Sequence, residues 1–154
     1  MPSASEDQAP GATDSLTFRL IVLVNELTRP FNAGEGARHG ITLSEWRCIL
    51  WIAAHPEASG GDTADGTAMD RMTVSRSLRR LESTGLAART IDPADRKRSC
   101  WRLTEKGMGV YAALTPRAFA RDALIAQGID ARTLATVTEF VDTAIARLRE
   151  DNRG

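Results

Sequence analysis

Along this chain, apolar positions recur at helical spacing, and short polar breaks separate the runs. In "LTFRLIVLVNELTRPF", Leu16, Phe18, Leu20, Ile21, Val22, Leu23, Val24 and Leu27 cover nearly the whole circumference of a helix. A helix that is apolar all round is buried on more than one side. Near a chain end, this one is expected to pack against a second subunit as well as its own core. Asp14 or Ser15 can cap it, and Pro30 should kink or end it. The next helix, "TLSEWRCILWIAAHP", carries Trp46, Ile49, Leu50 and Ala53 at helical spacing, with Thr42 or Ser44 as the cap and Pro56 as the stop. A short helix follows around Asp62 to Gly66, entered through Gly60 and Gly61, although Thr63 and Gly66 are poor helix formers.

The pattern is clearest in "MDRMTVSRSLRRLESTGL". Asp70 is a strong N-cap, and Gly85 sits where a left-handed C-terminal residue belongs. Val74, Leu78 and Leu81 form one narrow apolar stripe. At 100° per residue the opposite face holds Met72, Arg76, Arg79 and Ser83, with Thr73, Ser75 and Arg80 on its flanks. After Gly85 the spacing changes: "LAARTI" and "SCWRLT" read as two short strands joined by "DPADRKR", a hairpin. Thr104 can then cap a long helix kinked near Pro116 and ended by Gly128. Asp130 caps the last helix, where Leu134, Val137, Val141, Ala144 and Leu148 make a heptad-like stripe that calls for a helical partner.

Composition narrows the class. With 154 residues, 42% apolar and 26% charged, the chain fits one soluble domain with arms. The polar, acidic segment 1–14 is expected to be a disordered tail, with no secretory layout, and the protein to be cytoplasmic. Cys48 and Cys100 lack metal or redox spacing, so buried reduced thiols are expected. Nothing in the sequence calls for a metal or cofactor. No nucleophile–base arrangement or phosphate-binding glycine loop stands out, so an enzyme is not indicated. Net charge is zero, which by itself argues against nucleic acid. Its distribution argues the other way, since residues 71–106 carry ten Lys or Arg against four Asp or Glu. A balanced chain with one concentrated basic segment is what a local nucleic-acid face looks like.

Short helix, turn, capped basic helix and basic-tipped hairpin together make a helix-turn-helix followed by a wing. A helix with a free outer face fits the major groove, about 12 Å wide, where Arg reads guanine bidentately and Ser or Thr reaches base edges or phosphates. The hairpin then carries cations to the neighbouring minor groove or backbone. The expected fold is mainly α with a small β-wing: a winged helix-turn-helix over 39–106, an N-terminal dimerisation helix over 15–38, and C-terminal dimerisation helices over 107–154.

Four segments, "ITLSEWRCILWIAAHP", "TAMDRMTVSRSLRRLESTGLAAR", "DPADRKRS" and "LTEKG", together resemble the MarR family of winged helix-turn-helix transcriptional regulators. The resemblance implies a homodimer with intertwined terminal helices, bound to a pseudo-palindromic operator on double-stranded DNA. Most such regulators are repressors, often relieved by a small aromatic or phenolic ligand. It implies a recognition helix from Arg71 to Thr84, with Thr73, Ser75, Arg76 and Arg79 or Arg80 nearest the DNA; Met72, on the same outer face, completes the candidate DNA-binding set. The wing tip becomes Asp92 to Arg98, with Asp95, Arg96, Lys97 and Arg98 toward the duplex. The family's Asp-x-Arg pair falls on Asp95 and Lys97; a lysine cannot form the planar bidentate pair, so the role passes to Arg96 or Arg98. Thr63 stands where the family prefers Leu or Ile, which predicts a loosely packed first helix of the motif. Arg38, His39, Trp46, Arg47 and Trp51 are the candidate effector pocket. The alternative function is a helical dimerisation module, derived from a winged helix, that no longer binds DNA.

Overall fold

A computed structural model describes residues 11–91 and 99–154. Ser15 caps α1 (Leu16–Pro30), its hydroxyl oxygen accepting the Phe18 N–H at 3.2 Å. One turn of 3-10 helix, Ala12–Asp14, precedes it, where the sequence suggests the end of a disordered tail. The dimerisation helix expected over 15–38 is divided. Pro30 is the last residue of α1, and a π-helical turn, Phe31–Glu35, leads to the short α2 (Gly36–Arg38). Proline can occupy the end of a helix, but beyond it the regular hydrogen-bond ladder is broken.

Reciprocal capping sets the next two helices. At the head of α3 (Leu43–Ala54), the Thr42 N–H donates to the Glu45 carboxylate at 2.7 Å, and the Glu45 N–H returns a bond to the Thr42 hydroxyl. A second box, Ser59 with Asp62, opens α4 (Gly60–Thr67). The helix expected near 62–66 is thus longer, and Gly60 and Gly61 lie inside its first turn. Asp70 caps α5 (Arg71–Ser83), as its spacing predicts. Gly85, at φ 73°, closes that helix while the Leu86 N–H donates back to the Leu81 carbonyl.

The hairpin strands are β2 (Ala87–Ile91) and β3 (Ser99–Leu103), antiparallel, with Arg89 opposite Trp101 and Ile91 opposite Ser99. A strand the sequence did not suggest, β1 (Ala58–Ser59), pairs with the other edge of β3, giving the order β1-β3-β2. Glu57 turns the chain onto β3 at φ 69°, and its N–H donates to the Trp101 carbonyl at 3.1 Å. Two residues carry no readable alternation, so only the tertiary partner reveals such a strand.

Ile49 and Ile52 of α3 and Val74, Leu78 and Leu81 of α5 are fully buried, beside Thr63 of α4 and Cys48. Each large apolar side chain buried this way contributes about 1.5–3 kcal/mol. The expectation of a loosely packed α4 is not met. Thr63 is completely buried, and its hydroxyl donates to the Ser59 carbonyl at 2.9 Å, so the polar atom is satisfied inside its own helix.

The chain divides into two compact units, Met1–Ala113 and Leu114–Gly154. Helix α6 (Glu105–Ile125) begins in the first and ends in the second, and α7 (Ala131–Asp151), capped by Asp130, completes the second. In the single chain, most apolar residues of α1 and of α7 are exposed. Leu134, Val137, Val141, Ile145 and Leu148 of α7 are 38–62% exposed. Among the described residues, no helix is long and apolar enough to cross a membrane.

Candidate nucleic-acid interface

The amphipathicity of α5 decides what it can present. Val74, Ser77, Leu78 and Leu81 turn inward, and the Ser77 hydroxyl contacts the Cys48 thiol of α3. That leaves Met72, Arg76, Arg79 and Arg80 exposed, with Thr73 and Ser75 half-buried on the shoulders. Met72 is 71% exposed, which is unusual for so large an apolar side chain on a helix with its own core stripe. All six residues of the helix in the predicted set therefore lie on the side away from the core.

The helix start is ordered electrostatically. The Asp70 carboxylate accepts the Thr73 N–H at 2.8 Å, and the Arg76 guanidinium donates to the Thr73 hydroxyl at 3.4 Å. Hydrogen bonds from Thr73, helped by the nearby charge of Arg76, hold the Asp70 carboxyl below its ordinary value. Asp70 thus remains an anion at neutral pH and favours the guanidinium two turns along.

One flank of α5 meets the sheet. Arg71, Ser75 and Arg79, spaced one turn apart, line a cleft of about 450 Å³ together with Ser59 of β1 and Arg89 of β2. Arg89 is fixed across the ladder, its Nε donating to the Ser99 hydroxyl at 2.9 Å. Arg71 lies 3.5 Å from the Asp65 carboxylate, both largely exposed. Sequence reasoning left Arg71 and Arg89 out of the site. Their cationic character was visible, but Arg89 joins the face of α5 only once β2 is laid beside that helix. The wing residues Asp95, Arg96, Lys97 and Arg98 lie outside the described residues.

The candidate pocket residues divide between two faces of α3. Trp46 is buried, with ring centroids 6.3 Å from Phe31 and 6.3 Å from Tyr111. Arg47 and Trp51, one turn apart, line a depression of about 320 Å³ with Leu50, Ala54 and Thr67. Arg38 ends α2 exposed, and the half-buried His39 follows, its N–H donating to the Gly36 carbonyl at 3.0 Å. Burial pushes the Cys48 thiol up to about 11, against the pull of its Ser77 contact. Among the described residues, no group of three or more His, Cys, Asp or Glu is placed to hold a metal ion.

Comparison with known proteins matches the same region. The sequence model of the MarR family matches residues 39–98. A sequence search of curated proteins returns no match. Among solved structures, the chain is similar to the transcriptional regulator SlyA, at 20% identity and a TM-score of 0.79, over 89% of this chain and 96% of that one. It is also similar to a MarR family transcriptional regulator from Silicibacter pomeroyi DSS, at 26% identity and a TM-score of 0.78, over 94% and 96%. A third likeness is Bordetella bronchiseptica BpsR, solved in a study of how 6-hydroxynicotinic acid regulates its DNA binding, at 19% identity and a TM-score of 0.75, over 87% and 95%. The match over residues 39–98 and these likenesses together show that the chain has the fold of the MarR-family transcriptional regulators.

Proposed function

We propose that this protein is a homodimeric, sequence-specific DNA-binding regulator of transcription, a cytoplasmic repressor relieved by a small aromatic acid. The observation that carries this reading is the outer face of α5. Four exposed side chains, three of them arginines, and two hydroxyls stand opposite a fully buried stripe on a helix capped at both ends. Such a face supplies bidentate donors for guanine and hydroxyls for phosphates, while the buried side holds the helix on the core. Dimerisation is supported by the exposed apolar circumference of α1 and the exposed stripe of α7, which a second copy would bury. A pseudo-palindromic operator follows from the two-fold symmetry of such a dimer. For the effector, the supporting features are the Phe31–Trp46–Tyr111 aromatic group and the Arg47–Trp51 depression. A planar ring would lie in the Arg47–Trp51 depression, where Arg47 would take a carboxylate. The similarity to BpsR, whose DNA binding 6-hydroxynicotinic acid regulates, points to the same ligand class.

A band-shift assay on the DNA upstream of the protein's own gene tests this, with excess unrelated duplex as competitor. A shift that survives the competitor and is lost on adding an aromatic acid is the expected result. A shift erased by unrelated DNA, or none at all, would leave the dimerisation-module reading in its place.

A further inference from the structure

Lys106 belongs by sequence to the basic segment, yet it does not join the arginines of α5. Its ammonium donates to the Thr84 carbonyl at 2.8 Å, at the C-cap of α5. It is the outermost of several links between the last turn of α5 and the first turn of α6. The Thr104 hydroxyl donates to the Gly85 carbonyl at 2.6 Å and accepts the Gly107 N–H at 3.1 Å. The Thr104 N–H donates to the Leu86 carbonyl at 3.1 Å. Gly107 lies so close to that Leu86 carbonyl that no side chain fits at its position. Residues 104–107 thus satisfy three consecutive carbonyls, that of the C-cap Thr84 and those of Gly85 and Leu86 just beyond it.

From this geometry we infer that Lys106 is a positioning residue for α5. It sets the tilt at which the arginine face meets DNA and does not itself bind phosphate. The inference rests on the DNA-binding reading above and assigns Lys106 a role within it. A cation at a helix C-terminus is favoured by the carbonyls it faces, whatever ligand is present. With its ammonium on the Thr84 carbonyl at the C-terminal end of α5, Lys106 is turned away from the Asp70 end, where Met72, Thr73 and Arg76 stand. Loss of the ammonium loosens the C-terminal anchor, leaving the Thr104 bonds and the core of α5 in place. The arginine face then samples several tilts, and discrimination between DNA sequences falls while general attraction to DNA stays.

The experiment starts from a duplex selected by the parent protein from a random pool. The parent, Lys106→Met and Lys106→Arg are titrated at several salt concentrations against three probes: that duplex, the same duplex with one base pair inserted at its centre, and a scrambled duplex. Thermal melts confirm that each variant is folded. For K106M the expected result is unchanged affinity for the scrambled duplex and an unchanged salt slope. Its preference for the selected site should fall about tenfold, as for loss of one charged hydrogen bond, and the insertion should be better tolerated. K106R, which keeps a donor and the charge, should restore most of the preference. If K106M instead loses affinity evenly on all probes, with a slope smaller by about two for the two copies in a dimer, Lys106 is a phosphate contact and the inference is wrong. A K106M that discriminates like the parent overturns it equally. A parent that enriches no sequence overturns the DNA-binding reading itself, a different and recognisable failure.

Discussion

The indole of Trp51 lies against Gly66, with no space between them for a β-carbon. The same indole stacks on the His55 ring, centroids 3.9 Å apart and planes within 19°. Helix α4 can approach α3 only because residue 66 has no side chain, so a residue that weakens a helix locally is what seats this one.

Gly66→Ala should therefore destabilise the fold by about 1–3 kcal/mol through overpacking, despite alanine's better helix propensity. Gly109 of α6, where an added β-carbon would meet no atom within 4 Å, is the control. Gly109→Ala should stabilise by about 0.5–1 kcal/mol. Chemical denaturation of the two variants checks both signs.

Cys48 is fully buried, and burial pushes its thiol from 9.0 up to about 11. The native state therefore keeps a proton that the unfolded chain gives up above 9, so stability should fall as pH rises from 9 toward 11. Cys48→Ala should flatten that decline relative to the parent in melts across this range. The native thiol should also resist alkylation at pH 8 and react only on unfolding, because thiolate is the reactive form.

A charge placed in the α7 stripe tests the dimer. Val141 is 38% exposed in the single chain, and a partner helix would cover it. Val141→Glu should shift the protein toward monomer in sedimentation while its helix content stays the same. A parent that is monomeric at micromolar concentration would remove the role proposed for α1 and α7.

Much of this architecture was legible in local sequence, where the controlling interaction is itself local. The Asp70 cap and the left-handed Gly85 each act within a few residues and are where their spacing predicts, and of the two cap candidates Thr42 and Ser44 it is Thr42 that opens α3. What was not legible depends on partners distant in the chain. Gly66 and Thr63 look like poor helix formers until Trp51 and the core surround them. β1 is two residues long and exists because β3 is there to pair with it. Lys106 and Arg89 read as part of one basic segment. Folding separates them, Lys106 to the end of α5 and Arg89 to the cleft beside it. Charge counted along a sequence cannot distinguish a cation facing a ligand from one facing a carbonyl.

The central claim, that the outer face of α5 reads DNA sequence, is tested most directly by a salt-titrated binding comparison on a selected duplex. Arg76→Ala should lose about 1–3 kcal/mol of discrimination between that duplex and a scrambled one. Changing Arg96, Lys97 and Arg98 together to Ala should weaken binding evenly and flatten the salt slope by up to about 5 across the two protomers. If Arg76→Ala discriminates like the parent, this face is not the one that reads DNA.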